Sequence, residues 1–278
     1  MRLSVHHVSR YHFDTPVRRL VQTHRLTPSD CASQRVLSWD VFSEGAIKGA
    51  IYRDGAGDLI ETISVKGPVT ELVVEVRGEV DTTDLFGVLR DYRETVPPGT
   101  YLRGSHTTDA DADLRALSAE ALEGLEEETA LNRAHALARA VSGAIAYSPG
   151  LTEPATTAAE ALALGKGVCQ DHTHALISVA NAADIPARYV TGYLHSSSDG
   201  EAHEASHAWA ELYVPGLGWV GFDAANECCP DDRYIRLGSG FDAQDAAPIR
   251  GVLTGGVTET LDVSVAVKSQ TQSQHQQQ

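Results

Sequence analysis

Cys169, His207 and Asp223 are a thiol, an imidazole and a carboxylate carried in that order by three short segments. These are Gly-Lys-Gly-Val-Cys-Gln-Asp ending at Asp171, Ser-His-Ala-Trp ending at Trp209, and Gly-Trp-Val-Gly-Phe-Asp ending at Asp223. A nucleophilic sulfur, a base to take its proton and a carboxylate to hold that base are the parts needed for acyl transfer at an amide carbonyl. Each has an ordinary explanation when taken singly. Buried structural cysteines are common, an aspartate at a strand end often only closes a turn, and most of the 12 histidines must be bystanders. His174, in the same predicted helix as Cys169, reads as a packed or surface residue rather than a base. Jointly the three segments are a far stronger signal.

The elements around them would bring the groups together. Gly165 and Gly167 feed a predicted helix that starts at Val168 or Cys169, carries Ala175, Leu176, Val179 and Ala183 inward, and stops at Pro186. Cys169 then lies in the first turn, where free N–H groups and the positive end of the helix favour a thiolate and could hold an oxyanion. His207 opens a strand over 208–214, with Trp209, Glu211 and Tyr213 on one face and Ala208, Ala210, Leu212 and Val214 on the other. Pro215-Gly-Leu-Gly218 joins it to a second strand over 219–222. That hairpin sets Asp223 roughly across from His207, where its carboxylate could fix the imidazole tautomer and favour its charged form.

The rest of the chain divides by period. Alternation over 71–80 (Leu72, Val74 and Val76 against Glu71 and Arg77) and an apolar segment over 59–65, after the turn-rich Asp54-Gly-Ala-Gly-Asp58, predict strands. Pro97-Pro98-Gly99 breaks the pattern, and from Asp109 the period becomes helical. One stripe runs Leu114, Leu117, Ala121, Leu125; a second runs Leu131, Ala134, Ala138, Val141, Ile145. Thr157 and Glu160 form a capping box for a short helix to Leu164, closed by Gly165, and Tyr147-Ser-Pro-Gly150 is a loop. Residues 187–195 form a strand, and 226–268 read as a loop followed by two strands around Gly255-Gly256. The expected domains are a β-rich N-terminal unit over 1–105, an α+β core over 106–268 that includes the C-terminal strands, and a disordered Gln-rich tail over 269–278.

Composition narrows the function. With 22 basic against 38 acidic residues the net charge is −16, which argues against a nucleic-acid partner and against an anionic membrane surface. No apolar run approaches the ~18 residues of a spanning helix, and the N-terminus alternates like a strand rather than a signal peptide. Four cysteines without a CxxC pair suit a reducing compartment, so the expected location is cytoplasmic. Vicinal Cys228 and Cys229 read as packing residues. No Gly-Lys-Ser/Thr loop suggests a nucleotide, and the chemistry calls for no metal or organic cofactor. His203-Glu-Ala-Ser-His207 does satisfy the two-histidine zinc pattern HExxH. Against a zinc protease stand the loop-like Ser196-Ser-Ser-Asp-Gly200, the lack of a downstream third ligand, and the competing use of His207.

Gly-Val-Cys-Gln-Asp, Ser-His-Ala-Trp and Gly-Trp-Val-Gly-Phe-Asp resemble the motifs of the transglutaminase-like superfamily, specifically its bacterial proteins described as cysteine proteases, which carry a β-rich domain before the core. Segments 10–28 and 54–58, Arg236, and Ala247-Pro-Ile-Arg-Gly251 are similar to those proteins too, so the likeness covers nearly the whole chain. It implies a papain-like α+β core, helices packed on an antiparallel sheet. It also implies Cys169 as nucleophile with its backbone amide in the oxyanion hole, His207 as base and then acid, Asp223 as orienting carboxylate, and Tyr147 as an aromatic lining the site. One departure stands out: the usual Pro-Thr-Asn after the aspartate is here Ala224-Ala225-Asn226.

The expected reaction is therefore thioester-forming attack on peptide or glutamine-type amides of a protein or peptide substrate, with hydrolysis preferred and transamidation as the alternative. A non-catalytic binding scaffold is a lesser reading, because no member of the constellation is missing.

Overall fold

The computed structural model describes residues 1–195, 206–254 and 258–269. Two long strands dominate the N-terminal half, β1 (Arg2–His24) and β4 (Leu59–Thr82), paired antiparallel along most of their length. β2 (Gln34–Ser43) and β3 (Ala46–Arg53) pair successive parts of β4. The segments 59–65 and 71–80 are thus one strand rather than two. The break at Lys66-Gly-Pro68 is absorbed as a register irregularity opposite Val17 and Arg19, as befits Gly and Pro within a strand.

Helices follow. Asp111 caps α1 (Ala112–Leu122) by accepting from Leu114 N–H, and Thr129 caps α2 (Ala130–Ala144). Thr157 and Glu160 cap α3 (Ala158–Leu164) reciprocally, and Gly165 ends it in the left-handed conformation at φ 64°. The short strands β5 (Ala146–Tyr147) and β6 (Lys166–Gly167) pair parallel on either side of α3. α4 (Cys169–Ala182) is the buried central helix: Ala175, Leu176, Ile177, Val179 and Ala180 lie among residues of α1, α2, α3 and one face of the second sheet.

That second sheet runs β10–β7–β8–β9, all antiparallel, with β7 (Ala187–Leu194), β8 (Ser206–Val214), β9 (Gly218–Phe222) and β10 (Tyr234–Gly240). The fold is a mixed α and β one, helices on an antiparallel sheet beside a β-rich N-terminal region. β10 was not expected from sequence, where 226–268 reads as loop before two strands. Its apolar pattern is interrupted by Arg236, Gly238, Ser239 and Gly240, yet every residue is buried. A Cβ on Gly238 would stand 2.2 Å from Arg25 Cδ, so the strand needs glycine where side chains from the N-terminal half press against it.

The final strands differ from expectation in partner. β11 (Ile249–Leu253) and β12 (Glu259–Ser269) both pair with β1, so they extend the N-terminal sheet rather than the core. An edge backbone exposed along β1 is satisfied by whichever strand returns to it, and sequence order does not specify which sheet that is. Gly255-Gly256 and residues 270–278 lie outside the described residues. Among the described residues no helix is long and apolar enough to cross a membrane.

Between the two sheets sits an apolar patch of Leu3, Val5, Val80, Tyr193, Ile235, Leu237 and Val265. Beside it lies a buried ionic cluster. Arg236 donates to both oxygens of Glu211 at 2.8 and 3.2 Å and to Asp58 Oδ1 at 3.1 Å. Arg188, fully buried, donates to Glu211 at 2.7 Å and lies 4.1 Å from the centroid of the Trp219 ring. Burial alone would raise the Glu211 carboxyl, but the two guanidinium groups outweigh it and hold it at about 2.

Candidate active site

Cys169 is the first residue of α4 and is half-buried. The turn that presents it is built by Asp171, whose Oδ2 accepts from Val168 N–H and Thr152 Oγ1, both at 2.7 Å. Gly167 must be glycine, because a Cβ there would stand 2.6 Å from Asp171 Cβ. His172 braces the same turn from behind, its Nδ1 lying 2.9 Å from the Val168 carbonyl and its Nε2 2.8 Å from that of Ile145. Pairing of β5 with β6 puts Tyr147 beside Gly167 with its ring half exposed, two residues before the thiol.

His207 enters from the start of β8, directly opposite Gly192 of β7. Its ring stacks on Trp209, with centroids 6.4 Å apart, and lies 5.9 Å from Tyr234. Nε2 is 2.5 Å from Asp223 Oδ2. Burial by itself would lower the proton affinity of this imidazole. Hydrogen bonds to Asp223 and to the Cys169 thiol, with the negative charge those groups carry when ionised, outweigh it and raise His207 to about 10. The structure thus brings the three sequence-picked groups into one hydrogen-bonded line, with Nδ1 the ring nitrogen left for sulfur.

Asp223 follows β9 and opens a tight turn closed by two backbone bonds, Asp223 N–H to the Cys228 carbonyl at 2.8 Å and Cys228 N–H to the Asp223 carbonyl at 3.2 Å. Its Oδ1 accepts from the N–H groups of Ala225 and Asn226, each at 3.1 Å. Its Oδ2 accepts from Asn226 Nδ2 and Tyr234 Oη, each at 2.8 Å, besides His207. Burial opposes ionisation, yet these donors win and the carboxyl titrates below its ordinary value. The Ala224-Ala225 pair leaves this turn intact, since the carboxylate is held by backbone N–H groups that need no particular side chain.

Asp171, His172, Asn226 and Tyr234 were not singled out for these roles by sequence. Asp171 had a readable signal, an acid at the third position of a helix whose cap residue lacks an acceptor. Tyr234 had none, because it belongs to β10. His174 is buried in α4, accepts from Ala243 N–H at 3.1 Å and is pushed down to about 4 by burial. Of the HExxH pattern, His203 and Glu204 lie outside the described residues, while His207 is in a strand rather than a helix. Among the described residues no group of three or more His, Cys, Asp or Glu is arranged to hold a metal ion.

The fold is transglutaminase-like, with a β-rich N-terminal region. Residues 115–224 match the transglutaminase-like superfamily core and residues 3–81 match the bacterial transglutaminase-like N-terminal region; the chain belongs to that superfamily. The uncharacterized protein ML0607 of Mycobacterium leprae is 29% identical over 284 residues, covering 96% of this chain and 98% of its own. The uncharacterized protein Rv2569c of Mycobacterium tuberculosis is 28% identical over 293 residues, covering 96% and 92%. A crystal structure from Cytophaga hutchinsonii, described as a "Putative Cysteine Protease", superposes with a TM-score of 0.71 at 22% identity, over 97% of this chain and 91% of that one, and so shares the fold.

Proposed function

We propose that the protein is a cysteine-dependent acyl-transfer enzyme that cleaves peptide or glutamine-type amide bonds, with Cys169 as nucleophile, His207 as acid–base group and Asp223 as its orienting carboxylate. The observation that carries this reading is the single imidazole bonded to a carboxylate on one nitrogen and to a half-exposed thiol on the other side. Family membership agrees with it.

With His207 raised to about 10, the resting pair at neutral pH is an imidazolium facing the sulfur. The sulfur, its proton already held by His207, attacks the carbonyl carbon as thiolate, and the Cys169 backbone N–H at the start of α4 donates to the developing oxyanion. The C–N bond breaks as the His207 proton passes to the leaving nitrogen, giving an amine and a thioester. Neutral His207 then takes a proton from water, whose oxygen adds to the thioester carbon, and the sulfur leaves as thiolate to release the acid.

Incubation with glutamine-containing peptides, with and without a primary amine, followed by mass spectrometry tests the reading. New peptide termini or glutamate in place of glutamine are the products expected, and Cys169→Ser should abolish them with the unfolding midpoint preserved. Products carrying the amine would make transamidation the activity. Unchanged turnover in Cys169→Ser would end the proposal.

A further inference from the structure

Asp223 Oδ2 is shared. It takes His207 Nε2 at 2.5 Å, Asn226 Nδ2 at 2.8 Å and Tyr234 Oη at 2.8 Å, while Oδ1 is filled by two backbone N–H groups. A carboxylate has about four lone-pair sites, so five donors saturate it. Each neutral donor on Oδ2 draws off charge that the imidazolium would otherwise feel. Tyr234 is itself fixed: its ring meets Trp209 edge-on at 5.5 Å, and its oxygen lies 3.3 Å from Cys228 Sγ. Because the Tyr234 hydroxyl proton points at the carboxylate, which can only accept, the Cys228 thiol must be the donor in that contact. A line of hydrogen bonds therefore runs from Cys228 through Tyr234, Asp223 and His207 to Cys169.

We infer that Tyr234 and Asn226 are positioning residues that temper the hold of Asp223 on His207, and so set the pH above which the imidazolium facing Cys169 is lost. This rests on the catalytic reading above and adds to Cys169, His207 and Asp223 two further residues. Asn226 lies three residues after Asp223 in the same turn, whereas Tyr234 comes from β10, a strand whose neighbours Arg236 and Ile235 anchor it to the N-terminal half. The proton affinity at the site thus depends in part on how β10 is seated between the two sheets.

The charged and titratable groups around the line are few. His207 faces Asp223, the Cys169 thiol, the rings of Trp209 and Tyr234, and Asn226 Nδ2, which lies 3.3 Å from its Nε2. Tyr234 faces Asp223, Cys228 and, at 6.0 Å from its ring, the Arg233 guanidinium, which is itself paired with Asp231 at 2.8 Å. Of these only Asn226 and Tyr234 give Asp223 Oδ2 a neutral side-chain donor, which is why their removal should act on the imidazole directly.

The test is the pH dependence of Cys169 alkylation by iodoacetamide, read by peptide mass mapping, which requires no substrate. Tyr234→Phe keeps the ring and removes one donor; Asn226→Ala removes the other. Each should move the alkaline limb of the profile upward by about half a unit to one unit, because the freed carboxylate oxygen stabilises the imidazolium more strongly. A purely structural role would lower the unfolding midpoint and leave the limb where it is. A limb unmoved or moved downward in both variants overturns the inference while leaving Cys169 as the nucleophile. If native Cys169 labels no faster than Cys31, or shows no alkaline limb, the catalytic reading falls together with this one.

Discussion

One face of strand β8 carries two buried ionised groups four residues apart, His207 and Glu211, with Trp209 between them, and the two are put to opposite uses. Glu211 is closed off, both oxygens held by Arg188 and Arg236 and its side chain almost wholly inaccessible. His207 is held on one side only, by Asp223, and meets a half-exposed thiol on the other. Both are strongly perturbed, His207 up to about 10 and Glu211 down to about 2. A shifted pKa therefore does not mark chemistry by itself; what separates the two ends is that Glu211 is enclosed by opposite charge whereas His207 meets a half-exposed thiol.

Substitutions at the two ends should separate cleanly. Asp223→Asn keeps the size of the side chain but loses the charge that favours the imidazolium and turns one accepting oxygen into a donor that faces other donors. Turnover is expected to fall by about 10⁴-fold, as when an orienting carboxylate is neutralised in comparable sites, measured on protein still folded at the assay temperature because the donors left without an acceptor also lower the thermal midpoint. Turnover within tenfold of native would remove Asp223 from the mechanism. At the other end, Glu211→Gln leaves two buried guanidinium groups short of charge, and a stability loss of about 3–5 kcal/mol is expected in urea unfolding. Cys169 alkylation in the folded fraction should be unaffected. A stable Glu211→Gln protein with slow alkylation would collapse the distinction between the two ends.

A third class of buried ionisable group sharpens the contrast. His7 and His24 lie in the N-terminal sheet and are pushed down to about 4, mainly by burial, as His174 is in α4. Their neutral forms are favoured in the fold, against about 6.5 when unfolded. Their contribution is therefore complete above pH 6.5 and is lost as pH falls from 6.5 towards 4, on the order of 1–3 kcal/mol each. His207 has the opposite sign, contributing fully below pH 6.5 and losing its share as pH rises through about 10. Urea midpoints measured from pH 8 to pH 4 should decline through the acid range, less steeply in His7→Gln. A flat acid limb would show that these imidazoles are not held neutral.

Much of the site was legible because it depends on local rules. A helix beginning at a cysteine after glycines, the capping box at Thr157 and the hairpin through Pro215–Gly218 each follow from residues within a few positions of one another, and they set where Cys169, His207 and Asp223 sit on their own elements, while the packing of α4 on β8 brings the thiol to the imidazole. Asn226 was visible as a motif residue but its contact with Asp223 was not. Tyr234 was hidden because its strand breaks the apolar alternation with Arg236 and two glycines. Those residues make sense only beside Asp58, Glu211 and Arg25, which come from other parts of the chain.

The same division holds for the architecture. Local hydrophobic period and capping residues by themselves determined four helices, the β8–β9 hairpin and the order of the reactive groups, since each reflects backbone geometry that repeats over two to four residues. Only the tertiary structure decided that β11 and β12 return to β1, that β10 lies between the two halves of the molecule, and that a tyrosine from it shares the carboxylate of Asp223. Strand pairing and buried charge are settled by partners distant in sequence, and no short pattern encodes the identity of a partner that only folding brings near.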